Sequence, residues 1–299
     1  MRRKYFTLDV FTDRALAGNP LAVVLDSAGL DDARMQQIAR EFNLAETVFV
    51  QEPRNPVNTA RLRIFTPGRE LPFAGHPTVG AAVLLAHVRA PELLRREDLR
   101  IVLEEQVGEI ICIARHRKDQ AMAAWFTLPR LPKEAGAAPS AESLAAALGL
   151  SVEEIGFDRH RPSQFSAGTP FLFIPLKDLE AIGRAKPTLK LWGEDSAPAA
   201  FLYTRQTLAK DADFHARMFA NGWGVVEDPA TGSAVAALAG VLDAFEPGGE
   251  GEQMKIIEQG IEMGRPSLIS LGLNFDAGAL QSVTIGGSAV LVSEGFVDL

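Results

Sequence analysis

Two stretches of this 299-residue chain limit its fold more than any other feature. Thr78-Val79-Gly80-Ala81-Ala82-Val83-Leu84-Leu85-Ala86 and Ser233-Ala234-Val235-Ala236-Ala237-Leu238-Ala239-Gly240-Val241-Leu242 have helical composition but no polar face. A helix apolar all round must be buried all round. Neither run approaches the roughly 20 residues needed to cross a bilayer. Each therefore needs a sheet curving about it, and Gly80 and Gly240 are small enough to let strands come close. Pro77 precedes the first run, and proline at the first helical position puts the helix start just after His76.

The two runs belong to two faintly similar copies. Tyr5-Phe6-Thr7-Leu8 recurs as Trp125-Phe126-Thr127-Leu128, and Ala17-Gly18-Asn19-Pro20-Leu21 as Ala167-Gly168-Thr169-Pro170-Phe171. Arg63-Ile64-Phe65 recurs as Arg217-Met218-Phe219, and Ala74-Gly75-His76 as Thr231-Gly232-Ser233. The separation grows along the chain, as it would if the second copy had gained residues, including the helix-like stretch Ala141 to Leu148. A long period occurring twice means two similar lobes rather than a solenoid.

Each copy reads strand, turn, strand, helix, strand, buried helix. Phe6 to Val10 and Leu21 to Leu25 are strands joined through a Gly-Asn-Pro turn. Met35, Ile38, Ala39 and Phe42 make one apolar stripe of an outer helix, with Asp31 and Asp32 at its start as capping residues. Ile101 to Arg115 reads as a hairpin, a charged linker follows near Lys118, and Ala289 to Val292 returns to the first lobe. The expected organisation is α+β, with an N-terminal lobe of residues 1–118 and 285–299 and a C-terminal lobe of residues 119–284.

Composition narrows the function classes. Thirty Lys and Arg against 38 Asp and Glu leave a net charge of -8, without the basic face a nucleic-acid partner requires. At 47% hydrophobic residues the chain is too apolar for disorder. Arg2-Arg3-Lys4 resembles the start of a signal peptide, but Asp9 and Asp13 break any apolar stretch behind it, so a cytoplasmic protein with no membrane partner is expected. One cysteine, Cys112, excludes an internal disulfide and a thiolate-rich metal site. Its setting, Ile110-Ile111-Cys112-Ile113, is that of a small core residue. His76, His87, His116, His160 and His215 show no paired ligand spacing, and no phosphate loop, dinucleotide fingerprint or nucleophile elbow is present, so no metal and no cofactor is expected.

The remaining chemistry collects at the starts of the two buried runs. Glu70-Leu71-Pro72-Phe73-Ala74-Gly75-His76 precedes the first, and Glu227-Asp228-Pro229-Ala230-Thr231-Gly232 the second. Helix starts leave backbone N–H groups unpaired and carry positive partial charge, which suits a substrate carboxylate. For a single helix, a plain cap at His76 or Ser233 is the commoner reading. Two matched buried helices, whose starts could face one cleft, shift the balance toward a site. Glu46 stands at the entrance of Thr47-Val48-Phe49-Val50. A carboxyl buried there would be fit to exchange protons near neutral pH, although spacing alone favours a solvated glutamate at a strand edge. Arg265, in Gly264-Arg265-Pro266-Ser267, is either a turn arginine or a carboxylate ligand.

Gly18-Asn19-Pro20-Leu21-Ala22-Val23, Ala45-Glu46-Thr47-Val48-Phe49-Val50, Pro72-Phe73-Ala74-Gly75-His76-Pro77-Thr78, Glu227-Asp228-Pro229-Ala230-Thr231-Gly232-Ser233-Ala234 and the later Gly264-Arg265-Pro266-Ser267 together resemble the PhzF-like family of phenazine biosynthesis. The resemblance spans nearly the whole chain in the right order. It implies the diaminopimelate-epimerase-like fold: two pseudo-symmetric lobes, each a curved sheet or open barrel around a central helix, with the active site between them. It also implies a cofactor-independent isomerase, commonly a homodimer, that moves a proton on a small carboxylated metabolite, a dihydro-hydroxyanthranilate in the phenazine enzyme. By position, Glu46 becomes the acid/base. His76 and Asp228 become the other catalytic residues, and Gly75, Gly232 and Ser233 line the substrate pocket. Related racemases carry two cysteines where Ala74 and Thr231 stand here, so two-thiol chemistry is not expected. The alternative is a catalytically silent relative that binds a small anion or a protein partner.

Overall fold

A computed structural model describes residues 2–116, 121–188, 198–220 and 226–299. The chain divides into two compact units, Met1–Thr127 with Gly286–Leu299, and Leu128–Ile285. The boundary expected at Lys118 lies outside the described residues.

In the first unit, β1 (Arg2–Val10) pairs antiparallel with β2 (Asn19–Val24). Gly18, in the connection, has φ +63°, and a Cβ there would lie 2.4 Å from the Val10 carbonyl oxygen, so the turn admits only glycine. α1 (Asp32–Phe42) is capped by the Asp31 side chain, which accepts from the Arg34 N–H. It buries Met35, Ile38 and Ala39 against Val24, Phe49 and Phe65. β3 (Glu46–Gln51) then runs parallel to β2 and antiparallel to β4 (Ala60–Phe65), which is followed by β5 (Glu70–Leu71), α2 (Gly75–Arg89) and the short α3 (Pro91–Leu94). β6 (Leu99–Glu105), β7 (Gly108–Arg115) and β8 (Met122–Thr127) complete an antiparallel run, with β6 also parallel to β4. From the far end of the chain, β17 (Ala279–Asp298) lies along β1, with Ala289 opposite Val10.

Strands β1, β2, β3, β6, β7 and β8 all touch α2, which is why no face of this helix is polar. Every residue from Gly75 to Ala86 is buried, and Leu84 and Leu85 alone contribute about 1.5–3 kcal/mol each. A Cβ on Gly80 would lie 2.6 Å from Leu21 Cδ2 and 2.8 Å from Val10 Cγ2. The helix begins at Gly75, two residues ahead of Pro77. This corrects the start expected after His76: the first-turn N–H groups have no intrahelical partner, so proline is tolerated anywhere in that turn.

The second unit contains β9 (Lys133–Glu134), α4 (Ala141–Leu148), β10 (Ser163–Ser166), β11 (Pro170–Pro175), α5 (Leu179–Arg184), β12 (Ala199–Thr204), β13 (Phe214–Phe219), β14 (Glu227–Asp228), α6 (Gly232–Phe245), β15 (Gly251–Gln259) and β16 (Ser267–Asp276), then β17 up to Ile285. α6 packs on β9, β10, β11 and β16, with Ala234 to Leu242 wholly buried. Its Gly240 faces the Phe165 ring, 2.6 Å from where a Cβ would stand.

The two units share their pairing pattern. β10–β11 is an antiparallel pair, β11–β12 parallel, β12–β13 antiparallel, β13–β15 parallel and β15–β16 antiparallel, repeating the sequence from β1 to β7. The same bidentate pair recurs within each: Arg63 donates to Glu70 at 2.7 and 2.6 Å, and Arg217 to Glu227 at 2.8 and 3.0 Å. One expected correspondence fails. Trp125-Phe126-Thr127 lies in β8, paired with β7, whereas β1 corresponds to β10. A short alternating strand carries too little information to fix its own alignment. α4 consequently stands ahead of the second copy rather than inside it.

Candidate functional site

Glu46 opens β3 three residues after the left-handed Asn43 that ends α1. Its side chain is 17% exposed, and its Oε2 is 3.4 Å from His76 Nε2. His76 is the second residue of α2 and is buried. Burial pushes its imidazole down to about 3, against the opposing effect of a hydrogen bond with the Pro20 backbone. At neutral pH the ring is therefore uncharged, and its contact with Glu46 is a meeting of a carboxyl group with a neutral imidazole rather than an ion pair. The register of β2 with β3 and of β11 with β12 makes Ala199 the counterpart of Glu46. The carboxyl group is thus specific to the first unit.

No side chain caps α2. Its N-cap is Ala74, and Pro77 has no N–H, so Gly75 and His76 supply the first-turn donors. The Thr78 hydroxyl lies 2.7 Å from the Ala74 carbonyl and 2.7 Å from Glu105 Oε1.

In the second unit, Asp228 ends β14 and is 8% exposed. Its Oδ2 accepts from the Thr231 hydroxyl at 2.5 Å. Thr231 is the N-cap of α6, followed by buried Gly232 and half-buried Ser233. Gln259 holds this corner: it accepts from Thr231 N–H at 3.1 Å and donates to the Asp228 carbonyl at 2.7 Å and to Thr231 Oγ1 at 3.1 Å. The Ser267 hydroxyl, 2.9 Å from the Pro229 carbonyl, ties the Gly-Arg-Pro-Ser segment to the same corner. Gly260 is obligatory here, with φ +76° and Pro229 and Arg265 carbonyl oxygens both 2.5 Å from any Cβ.

Within the first unit, then, Glu46, Gly75 and His76 come together; within the second, Asp228, Gly232 and Ser233 do. Sequence reasoning missed Thr78, Glu105, Gln259 and Ser267. Aligning Glu104-Glu105 with Glu258-Gln259 would have flagged two of them. Cys112 is a core residue of β7 and its thiol is pushed far up by burial and by Glu105. Among the described residues, no group of three or more His, Cys, Asp or Glu is placed to hold a metal ion, and no helix is long and apolar enough to cross a membrane. A recess of about 340 Å³ opens at the other end of α2, beside His87, Leu94, Arg95 and His116; none of the expected site residues lines it.

These features are those of the two-unit diaminopimelate-epimerase-like fold, and the similarities that follow make the chain an isomerase. Residues 8–295 match the family described as phenazine biosynthesis-like protein (PhzC-PhzF), and the chain belongs to it. It is 48% identical to an uncharacterized isomerase of Mesorhizobium japonicum over 98% of both chains. It is 35% identical to the trans-2,3-dihydro-3-hydroxyanthranilate isomerase of Pseudomonas fluorescens over 99% of both. The crystal structure of a PhzF-family protein from Bacillus anthracis covers 100% of each chain, with 26% identity and a TM-score of 0.87.

Proposed function

We propose that this isomerase moves a proton on a small carboxylated metabolite, amino-acid-like or dihydro-hydroxyanthranilate-like, with Glu46 as the acid/base. The observation that carries the reading is the mostly buried Glu46 carboxyl beside a neutral His76, at a position where the second unit has alanine. A neutral imidazole does not tie the carboxyl to a cation, so the group can take a proton from an acidified substrate carbon. It then returns that proton to another carbon, or to the opposite face of the same one. His76 donates or accepts a hydrogen bond at the substrate's polar groups, and Asp228 serves the same purpose in the second unit. The backbone N–H groups of Gly75 in the first unit, and those of Gly232 and Ser233 in the second, suit a carboxylate, each helix start favouring an anion by roughly 0.3–1 kcal/mol.

The test is exchange of carbon-bound hydrogen in D2O, with trans-2,3-dihydro-3-hydroxyanthranilate and a panel of small amino acids and hydroxy acids as probes. Enzyme-dependent deuterium on carbon supports the reading. Saturable binding of a probe without any exchange across the panel would instead support an anion-binding protein.

A further inference from the structure

Glu105 ends β6 and is 8% exposed. Its Oε1 and the Ala74 carbonyl oxygen both lie 2.7 Å from the Thr78 hydroxyl. A hydroxyl has one hydrogen to give. If Thr78 gives it to Ala74, an ionised Glu105 meets Thr78 as acceptor against acceptor. If Thr78 gives it to Glu105, the Ala74 carbonyl keeps only the Thr78 backbone N–H, at 3.2 Å, and faces the hydroxyl oxygen without a hydrogen between them. Both contacts are hydrogen bonds only when Glu105 Oε1 itself carries a proton and donates it to Thr78. The other oxygen, Oε2, is buried with no hydrogen-bond partner among the described residues. That is tolerable for the carbonyl oxygen of a neutral acid and far costlier for half of a carboxylate.

The second unit points the same way. β4 pairs with β6 as β13 pairs with β15, Ala60 opposite Leu103 and Phe214 opposite Ile257. Glu104 accepts from the backbone N–H groups of Arg54 and Asn55, and Glu258 from those of Leu208 and Ala209. Glu104 and Glu258 are therefore counterparts, and so are Glu105 and Gln259. Gln259, a group that cannot ionise, ties down the N-cap of α6. Glu105 occupies the corresponding place below the start of α2.

We propose that Glu105 is a positioning residue: kept as the neutral acid, it holds Thr78 and the Ala74 carbonyl, and so fixes the turn of α2 that presents Gly75 and His76; its ionisation releases that turn. The role in catalysis rests on the reading that Gly75 and His76 line the substrate site. Burial pushes the Glu105 acid up to about 8, against a Thr78 hydroxyl that turns from the Ala74 carbonyl to donate to the carboxylate once Glu105 ionises, which puts the release in the mildly alkaline range. The titratable groups on the elements packed here are His76 on α2, uncharged above about 3, and Cys112 on β7, whose thiol stays protonated. Arg61 on β4 and Glu109 on β7 pair in register with Glu104 and so stand on the opposite face of β6.

Infrared difference spectra of the parent minus Glu105→Gln read the protonation directly and need no substrate. A carboxylic-acid carbonyl band is expected at pH 7, fading with a midpoint near 8, and the backbone amide resonances of Gly75 and His76 should shift with the same midpoint in the parent only. In deuterium exchange with trans-2,3-dihydro-3-hydroxyanthranilate, kcat of the parent should fall over that range while Glu105→Gln keeps the rate it has at pH 7. Glu105→Ala, leaving Thr78 without its partner, should lose about tenfold in kcat with KM little changed, the worth of one hydrogen bond. Absence of the acid band at pH 7, or a band that titrates without moving the Gly75 and His76 amides, overturns the proposal. If no probe exchanges with any of these proteins, the isomerisation reading fails, and the spectra still decide the case of Glu105.

Discussion

His215 gives a stability effect whose size follows from the structure. It is fully buried on β13, with Nδ1 2.7 Å from Glu258 and Nε2 2.9 Å from Glu262. Both partners are acceptors, so both ring nitrogens must donate, and only the imidazolium can do that. Burial alone would lower its pKa, but the bonds to Glu258 and Glu262 outweigh it and raise the value from 6.5 to about 9. A raised folded-state pKa stabilises fully below the unfolded value, and the contribution is lost as pH rises through the folded one. At 1.36 kcal/mol per unit, about 3 kcal/mol is present at pH 6.5 and gone near pH 9. For a unit of this size that is about 6–12 °C in Tm. Calorimetry of the parent and His215→Gln at several pH values is the assay. The variant should melt lower by that amount at pH 6.5, and the gap should close by pH 9. A constant gap, or none, refutes the charged-histidine argument. The consequence reaches the site, because Glu258 adjoins Gln259, which holds Thr231 and Asp228.

Gly80→Ala should destabilise the first unit by about 1–3 kcal/mol, since the new methyl meets Leu21 and Val10 below 3 Å; urea unfolding checks it, and an unchanged midpoint would mean the β1–β2 layer can retreat. Ser267→Ala frees the buried Pro229 carbonyl, costing about 1–3 kcal/mol, and should lower the melting temperature of the second unit while leaving the first unchanged; calorimetry checks it, and an unchanged second transition would mean the carbonyl finds another donor.

The burial of α2 and α6 was legible because a helix with no polar face has one physical solution. Glu46 could be placed at a strand entrance but not assigned a partner, since the His76 contact joins residues far apart in sequence. The repeat was readable where it carried chemistry, at Arg63/Arg217 and Gly75/Gly232, and misread where it carried only strand pattern, at Trp125. Glu105 and Gln259 escaped because a buried acid and an amide look alike to hydrophobic patterning: both are polar residues at the end of an apolar strand. The start of α2 was misplaced because proline marks the first turn of a helix without saying which residue of that turn it occupies.

The most direct measurement is deuterium incorporation by Glu46→Gln at saturating substrate, beside the parent, with ligand affinity determined for both. The amide keeps the shape and the contact with His76 but cannot carry a proton between carbons. Affinity should stay nearly unchanged while exchange falls by about 10²–10⁴-fold, the worth of one positioned acid/base. A Glu46→Gln protein that exchanges as fast as the parent contradicts the assignment and passes the role of base to Asp228.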